Sequence, residues 1–201
     1  MVSSRTLGLI LWVIMMVYLD HGQRERAEEG MEVLPMRAHL LANLGRQAEA
    51  LEILQQWLAD FDVNEVPVIL LVPLLEAAIL VEDSKSVSIL AAPLSVVDHM
   101  STISGAPTCP ARHLGAAAAL LGEPDKARTY YHQALEACAK IGFRPEIALT
   151  RLQVAELLLE HYPDERPEAM EHLDFAIGEF RDMKMQPSLE RALRHREILK
   201  A

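Results

Sequence analysis

Histidines and carboxylates are the residues of this sequence whose types and spacing could do chemistry. The chain holds eight histidines and 29 Asp and Glu residues. Glu168 and His172 lie four residues apart, as do His132 and Glu136, so on a helix each pair would share one face. Such a pair could begin a metal site, but zinc takes four ligands and the histidines are dispersed. We interpret the pairs as surface pairs and expect no metal and no cofactor.

The two cysteines, Cys109 and Cys138, are the other candidates for chemistry. They are too few and too far apart in sequence for a disulfide framework or a paired-cysteine zinc site. We expect small apolar residues in a reducing compartment, which favours a cytoplasmic protein.

Motifs of nucleotide binding and catalysis are absent from the sequence. There is no G-x-x-x-x-G-K-[ST] loop, no G-x-G-x-x-G and no H-E-x-x-H. We therefore expect that the protein is not an enzyme. The alternative is an all-α enzyme that assembles acids and histidines from different helices.

The charge balance bears on the class of partner. The net charge of −10 argues against nucleic acid, since binding phosphates requires concentrated Lys and Arg. A basic partner is easier to accommodate.

The elements that would position these residues are helices. Apolar residues recur at intervals of three and four residues, and the commonest residues are Ala, Leu, Glu and Arg. The alternating pattern of a strand is absent. Pro73 lies inside one apolar stretch, where we expect a kink or a break at Val72. The predicted helices are 6–21, 23–29, 31–43, 46–60, 67–81, 84–97, 108–121, 124–141, 145–161, 166–183 and 187–199.

An apolar run from Leu7 to Leu19 has 13 residues. Spanning a bilayer takes about 20, and no small-residue cleavage pattern follows the run. A first helix buried against its neighbour explains the run, so we expect no membrane contact. A signal segment or membrane anchor through Leu7 to Leu19 is the alternative.

Small residues occupy two positions where a solitary helix would carry bulk, Gly115 and Ala127. Two helices that cross closely have room only for a hydrogen or a methyl group at the contact. The predicted helices also form successive pairs, and each pair begins about forty residues after the previous one. This repeat length is typical of helical-hairpin solenoids.

This pattern resembles the tetratricopeptide repeat, in which Leu-Gly in a first helix precedes a turn glycine, then Ala, an aromatic residue and Ala-Leu. The matching positions are Leu114, Gly115, Gly122, Ala127, Tyr131, Ala134 and Leu135. From about residue 20 the chain is similar to the C-terminal repeats of bacterial multidomain nucleotide cyclases and LuxR-type ATPase regulators. The resemblance implies an all-α fold of antiparallel helical hairpins stacked as a right-handed solenoid.

Four parts follow from this resemblance and from the composition. Residues 1–19 form an apolar first helix, 20–98 divergent repeats, 99–110 a linker rich in Ser, Thr, Gly and Pro, and 111–201 further repeats with a C-terminal capping helix.

The resemblance implies a non-catalytic protein–protein interaction module, a scaffold or sensor whose concave groove receives a peptide or a helix. The partner would be a protein, another domain of the same polypeptide or a second copy. The alternatives are the C-terminal regulatory part of a nucleotide cyclase or transcriptional regulator, an all-α enzyme and a membrane-tethered adaptor. Candidates for polar groove contacts are Arg112, His113, Arg144 and Arg151, although pairing with acids explains the arginines equally well.

Overall fold

The computed structural model describes residues 34–66, 68–96 and 108–200, and this part of the chain is all-α. It contains nine α-helices, one 3-10 helix and no strand. The predicted helices 6–21 and 23–29 lie outside the described residues. The helices are α1 (Leu34–Asn43), α2 (Gln47–Asp60), α3 (Val68–Leu80), α4 (Ser84–Ser95), α5 (Pro110–Leu120), α6 (Pro124–Ile141), α7 (Arg144–His161), α8 (Arg166–Met183) and α9 (Gln186–Lys200), with the 3-10 helix Pro163–Glu165 before α8.

Five of the nine described helices end in the same way. A residue with positive φ follows the helix, and its N–H and the next N–H bond back to carbonyls of the last turn. In the first case Gly45 N–H bonds to the carbonyl of Ala42, and Arg46 N–H to that of Leu41. This is the Schellman arrangement, which satisfies carbonyls that a helix end leaves unpaired. The positive-φ residues are Gly45, Glu82, Gly122, Gly142 and Lys184.

Of the kink or break expected at Val72, the break is wrong, because α3 continues through Pro73; the kink stays a prediction. A proline inside a helix removes a hydrogen bond and costs roughly 3 kcal/mol. Val72 and Leu74 beside it are fully buried, so packing of this apolar helix offsets that cost.

Consecutive helices pack against each other, and a second set of contacts joins alternate helices. The odd-numbered helices touch in order, α1 with α3, α3 with α5, α5 with α7 and α7 with α9. Among the even-numbered helices, α2 and α4 also touch each other.

The two largest hydrophobic clusters of the core meet at α5. The first, around Trp57 and Leu74, includes Leu114 of α5. The second, around Leu158 and Phe180, begins with Ala118 of the same helix. The helices before and after residues 97–107 are thus in direct contact.

Residues 108–110 are the described part of the predicted linker 99–110, and they are buried. Thr108 and Cys109 are 0–1% exposed, and Pro110 already belongs to α5. The run from Leu7 to Leu19 lies outside the described residues. Among the helices that are described, none is long and apolar enough to cross a membrane.

Candidate functional site

An open groove of about 460 Å³ runs across the odd-numbered helices. All five of them contribute side chains to its wall. On α7, Leu149, Leu152 and Gln153 reach the groove because residues three and four apart share one face of a helix. One lining residue from each of the other helices is Asn43 of α1, Glu76 of α3, Ala116 of α5 and Arg191 of α9.

An ion pair lies at the groove wall between α5 and α7. Arg112 Nε lies 2.8 Å from Oε2 of Glu146, and Arg112 Nη2 lies 3.1 Å from Oε1. Both side chains are almost fully buried. Burial alone would lower the pKa of Arg112, but the charge and hydrogen bonds of Glu146 raise it above its ordinary value. Arg112 therefore stays charged, and its charge is balanced by that of Glu146.

The segment before α5 is tied to the same carboxylate. Thr108 Oγ1 donates to Oε1 of Glu146 at 3.0 Å, and the backbone N–H of Cys109 donates to Oε2 at 3.1 Å. Glu146 thus receives four hydrogen bonds, which satisfies a carboxylate that would otherwise be costly to bury. The arrangement fixes the start of α5 on α7.

His113 extends this network towards α3. Its Nε2 lies 3.2 Å from Nη2 of Arg112 and 2.5 Å from Oγ1 of Thr108. Burial and the charge of Arg112 lower the pKa of His113 to about 4. His113 is therefore neutral at pH 7.

Glu76 lies at the other end of the network. Its Oε2 is 3.1 Å from Nε2 of fully buried His39 and 3.9 Å from Nδ1 of His113. Burial alone would raise the pKa of Glu76, but His39, His113 and Arg112 hold it well below its usual range. A carboxylate on α3 thus remains charged at the groove wall.

The second cation of the groove is also paired. Arg191 of α9 makes two hydrogen bonds of 2.6 Å to Glu156 of α7, and Nε2 of His195 lies 2.9 Å from the same carboxylate. Burial alone would raise the pKa of Glu156, but the hydrogen bond from His195 and the charge of Arg191 hold it below its ordinary value.

The contact between Thr108 and His113 brings a hydroxyl to an imidazole, as in nucleophilic catalysis. Both side chains are buried to within 1% of their surface, and the hydroxyl also contacts Arg112 and Glu146. The oxygen is enclosed by these partners, so we assign the contact a structural role. Among the described residues, no group of three or more His, Cys, Asp or Glu side chains could hold a metal ion.

The four candidate groove residues are divided by the structure. Arg112 and His113 line the groove, although both are buried in the network. Arg144 pairs with Glu179 of α8, with 2.7 Å between Nε and Oε2. The guanidinium of Arg151 lies 4.3 Å from the centre of the Phe175 ring. The last two arginines therefore join α7 to α8 and do not reach the groove.

The positions that carry the repeat resemblance lie where α5 meets α6. A methyl group on Gly115 would lie 2.4 Å from Cε1 of Tyr131, so α5 carries no side chain at this point. Leu114, Ala127, Tyr131 and Ala134 are buried, Leu135 is half-buried, and Gly122 provides the positive-φ turn.

Sequence reasoning missed the groove residues Glu76 and Gln153, and it missed Glu146 beneath them. Nothing in the sequence marks Glu146 and Gln153 among the many surface acids and amides of the chain. A partial signal is Glu76 itself, a single acid within the otherwise apolar α3.

Comparison of the chain with protein-family models, curated proteins and solved structures finds no match.

Proposed function

We propose that the chain is a solenoid of stacked antiparallel helical hairpins of the tetratricopeptide kind. Short turns after α1, α3 and α5 favour antiparallel neighbours, and stacked hairpins would make contacts between alternate helices such as those observed. The odd-numbered helices form the concave side of this solenoid and the even-numbered helices the convex side.

We propose further that the protein is a non-catalytic interaction module. The observation that carries this proposal is the groove, because five successive odd-numbered helices place side chains along one continuous surface. A peptide or a helix of a partner protein, or of another part of the same polypeptide, is the ligand that such a surface fits. The buried, reduced thiols of Cys109 and Cys138 agree with a cytoplasmic location.

The test uses a displayed library of random twelve-residue peptides and the 201-residue chain. Ala116 is half-buried and lines the groove, so Ala116→Phe fills the groove without entering the core. Ala139→Phe, on the exposed face of α6, is the matched control. We expect the library to yield peptides that bind the unmodified protein and Ala139→Phe but lose most of their affinity for Ala116→Phe.

Circular dichroism and thermal unfolding establish that both variants are folded. Selection of peptides that bind all three proteins equally, or of none at all, would contradict a groove function.

A further inference from the structure

The charges of the groove are not balanced. Its two arginines are already neutralised, Arg112 by Glu146 and Arg191 by Glu156. Its two acids are Glu76 and Glu82. Glu82 is exposed at the end of α3, and no cation of the described residues lies within ion-pair distance of it. The surplus charge of the groove is therefore negative.

Glu76 keeps one oxygen for a ligand. Both imidazoles approach Oε2, and among the described residues none donates a hydrogen bond to Oε1. The side chain is 18% exposed and lines the groove, so a ligand can reach this carboxylate.

A second acceptor in the same groove has no donor. The side-chain Oε1 of Gln153 is buried and without a hydrogen-bond partner. A buried polar atom left unpaired costs about 1–3 kcal/mol, so a donor supplied by a ligand would relieve this cost.

Apolar side chains lie beside these acceptors. Ile79 of α3 and Leu149 and Leu152 of α7 line the same groove. Long basic side chains place their methylene groups on such surfaces while their charged ends reach a carboxylate. The groove thus combines features that suit Arg and Lys.

We propose that the ligand of the groove is a basic peptide segment whose Arg or Lys side chains bind Glu76, Gln153 and Glu82. This inference rests on the interaction function proposed above and adds the chemistry of the partner. The net charge of −10 would also speed the approach of a cationic segment.

The experiment analyses the peptides selected above and then varies the groove acids. We expect the groove-dependent peptides to be enriched in Arg and Lys. A fluorescein-labelled copy of the strongest binder should lose about five- to tenfold in affinity for Glu82→Lys, measured by fluorescence anisotropy. Glu52→Lys, at an exposed position of α2, makes the same charge change outside the groove and should change the affinity far less.

Glu76→Gln is the second variant, because it removes the buried charge and keeps a polar group of the same shape. It should lower the affinity of the basic peptide. The affinity of a groove-dependent peptide without Arg or Lys should stay unchanged.

The outcomes separate the two proposals. Groove-dependent peptides that are neutral or acidic would overturn the basic ligand and leave the interaction function standing. Equal losses for Glu82→Lys and Glu52→Lys would show general attraction to an acidic protein and would also overturn it. Absence of any groove-dependent peptide would overturn both.

Discussion

At the scale of single residues, the groove depends on charges that are paired across helices. Arg112 and Glu146 are 34 residues apart in sequence, and each looks like an ordinary surface residue. Their burial follows from the packing of α5 on α7, which no local pattern encodes. For this reason sequence reasoning named Arg112 and His113 but found neither Glu146 nor Glu76.

The Arg112–Glu146 pair gives the first prediction. Arg112→Met leaves the Glu146 carboxylate buried without its cation, so the free energy of unfolding should fall by about 3–5 kcal/mol. The double variant Arg112→Met/Glu146→Leu removes both charges and should be more stable than the single variant. Urea unfolding followed by circular dichroism measures both values.

Lys126→Met is the control for this prediction, because Lys126 pairs with Glu123 at an exposed site. It should change stability little. A similar small loss for Arg112→Met would show that the buried pair does not stabilise the fold.

His113 gives a prediction of pH dependence. Its pKa is about 4 in the folded protein and about 6.5 when unfolded, so between these values the unfolded chain binds more protons. Stability should therefore fall as pH drops from 6.5 to 4, by about 3 kcal/mol from this group. Glu76, whose pKa is also lowered, adds a loss in the same direction below pH 4.5.

His113→Gln keeps a donor and an acceptor but does not titrate, so its unfolding free energy should depend less on pH between 6.5 and 4. His132→Gln, at an exposed position of α6, should keep the slope of the unmodified protein. Identical slopes for all three proteins would mean that His113 titrates normally.

At the scale of helices, most of the fold could be predicted from the sequence. From residue 46 onwards every predicted helix is present within the described residues, with ends that agree to within two residues. Helix formation and turn glycines are local properties, so a sequence pattern records them. The break expected at Pro73 could not be judged from local sequence, because burial of α3 in the first cluster overrides the local cost of a proline.

The approach of α5 to α6 gives the next prediction. Gly115→Ala would place a methyl group against the Tyr131 ring, so stability should fall by about 1–3 kcal/mol. Gly178→Ala is the matched control, because nothing lies within 4 Å of a methyl group at this exposed position of α8. It should gain about 0.5–1 kcal/mol, since alanine favours a helix over glycine.

Thermal unfolding of the two variants compares them directly. A gain in stability for Gly115→Ala would mean that the two helices are further apart than the structure places them.

At the scale of the whole molecule, the arrangement of the helices decides how stability is distributed. In a solenoid each hairpin packs only on its neighbours, so a local defect should affect nearby helices most. In a single cooperative bundle it would affect all helices equally. The sequence predicts hairpins but carries no direct record of this distribution.

Phe180→Ala in α8 distinguishes these two cases. Phe180 is fully buried, and its truncation should cost about 3–5 kcal/mol. Hydrogen exchange followed by mass spectrometry should then accelerate by about 100-fold or more in α8 and α9 and change little in α1 and α2. Leu54→Ala, at a fully buried position of α2, should give the mirror image, with faster exchange in α1 and α2. Equal acceleration throughout the chain in both variants would contradict the solenoid and favour a single cooperative core.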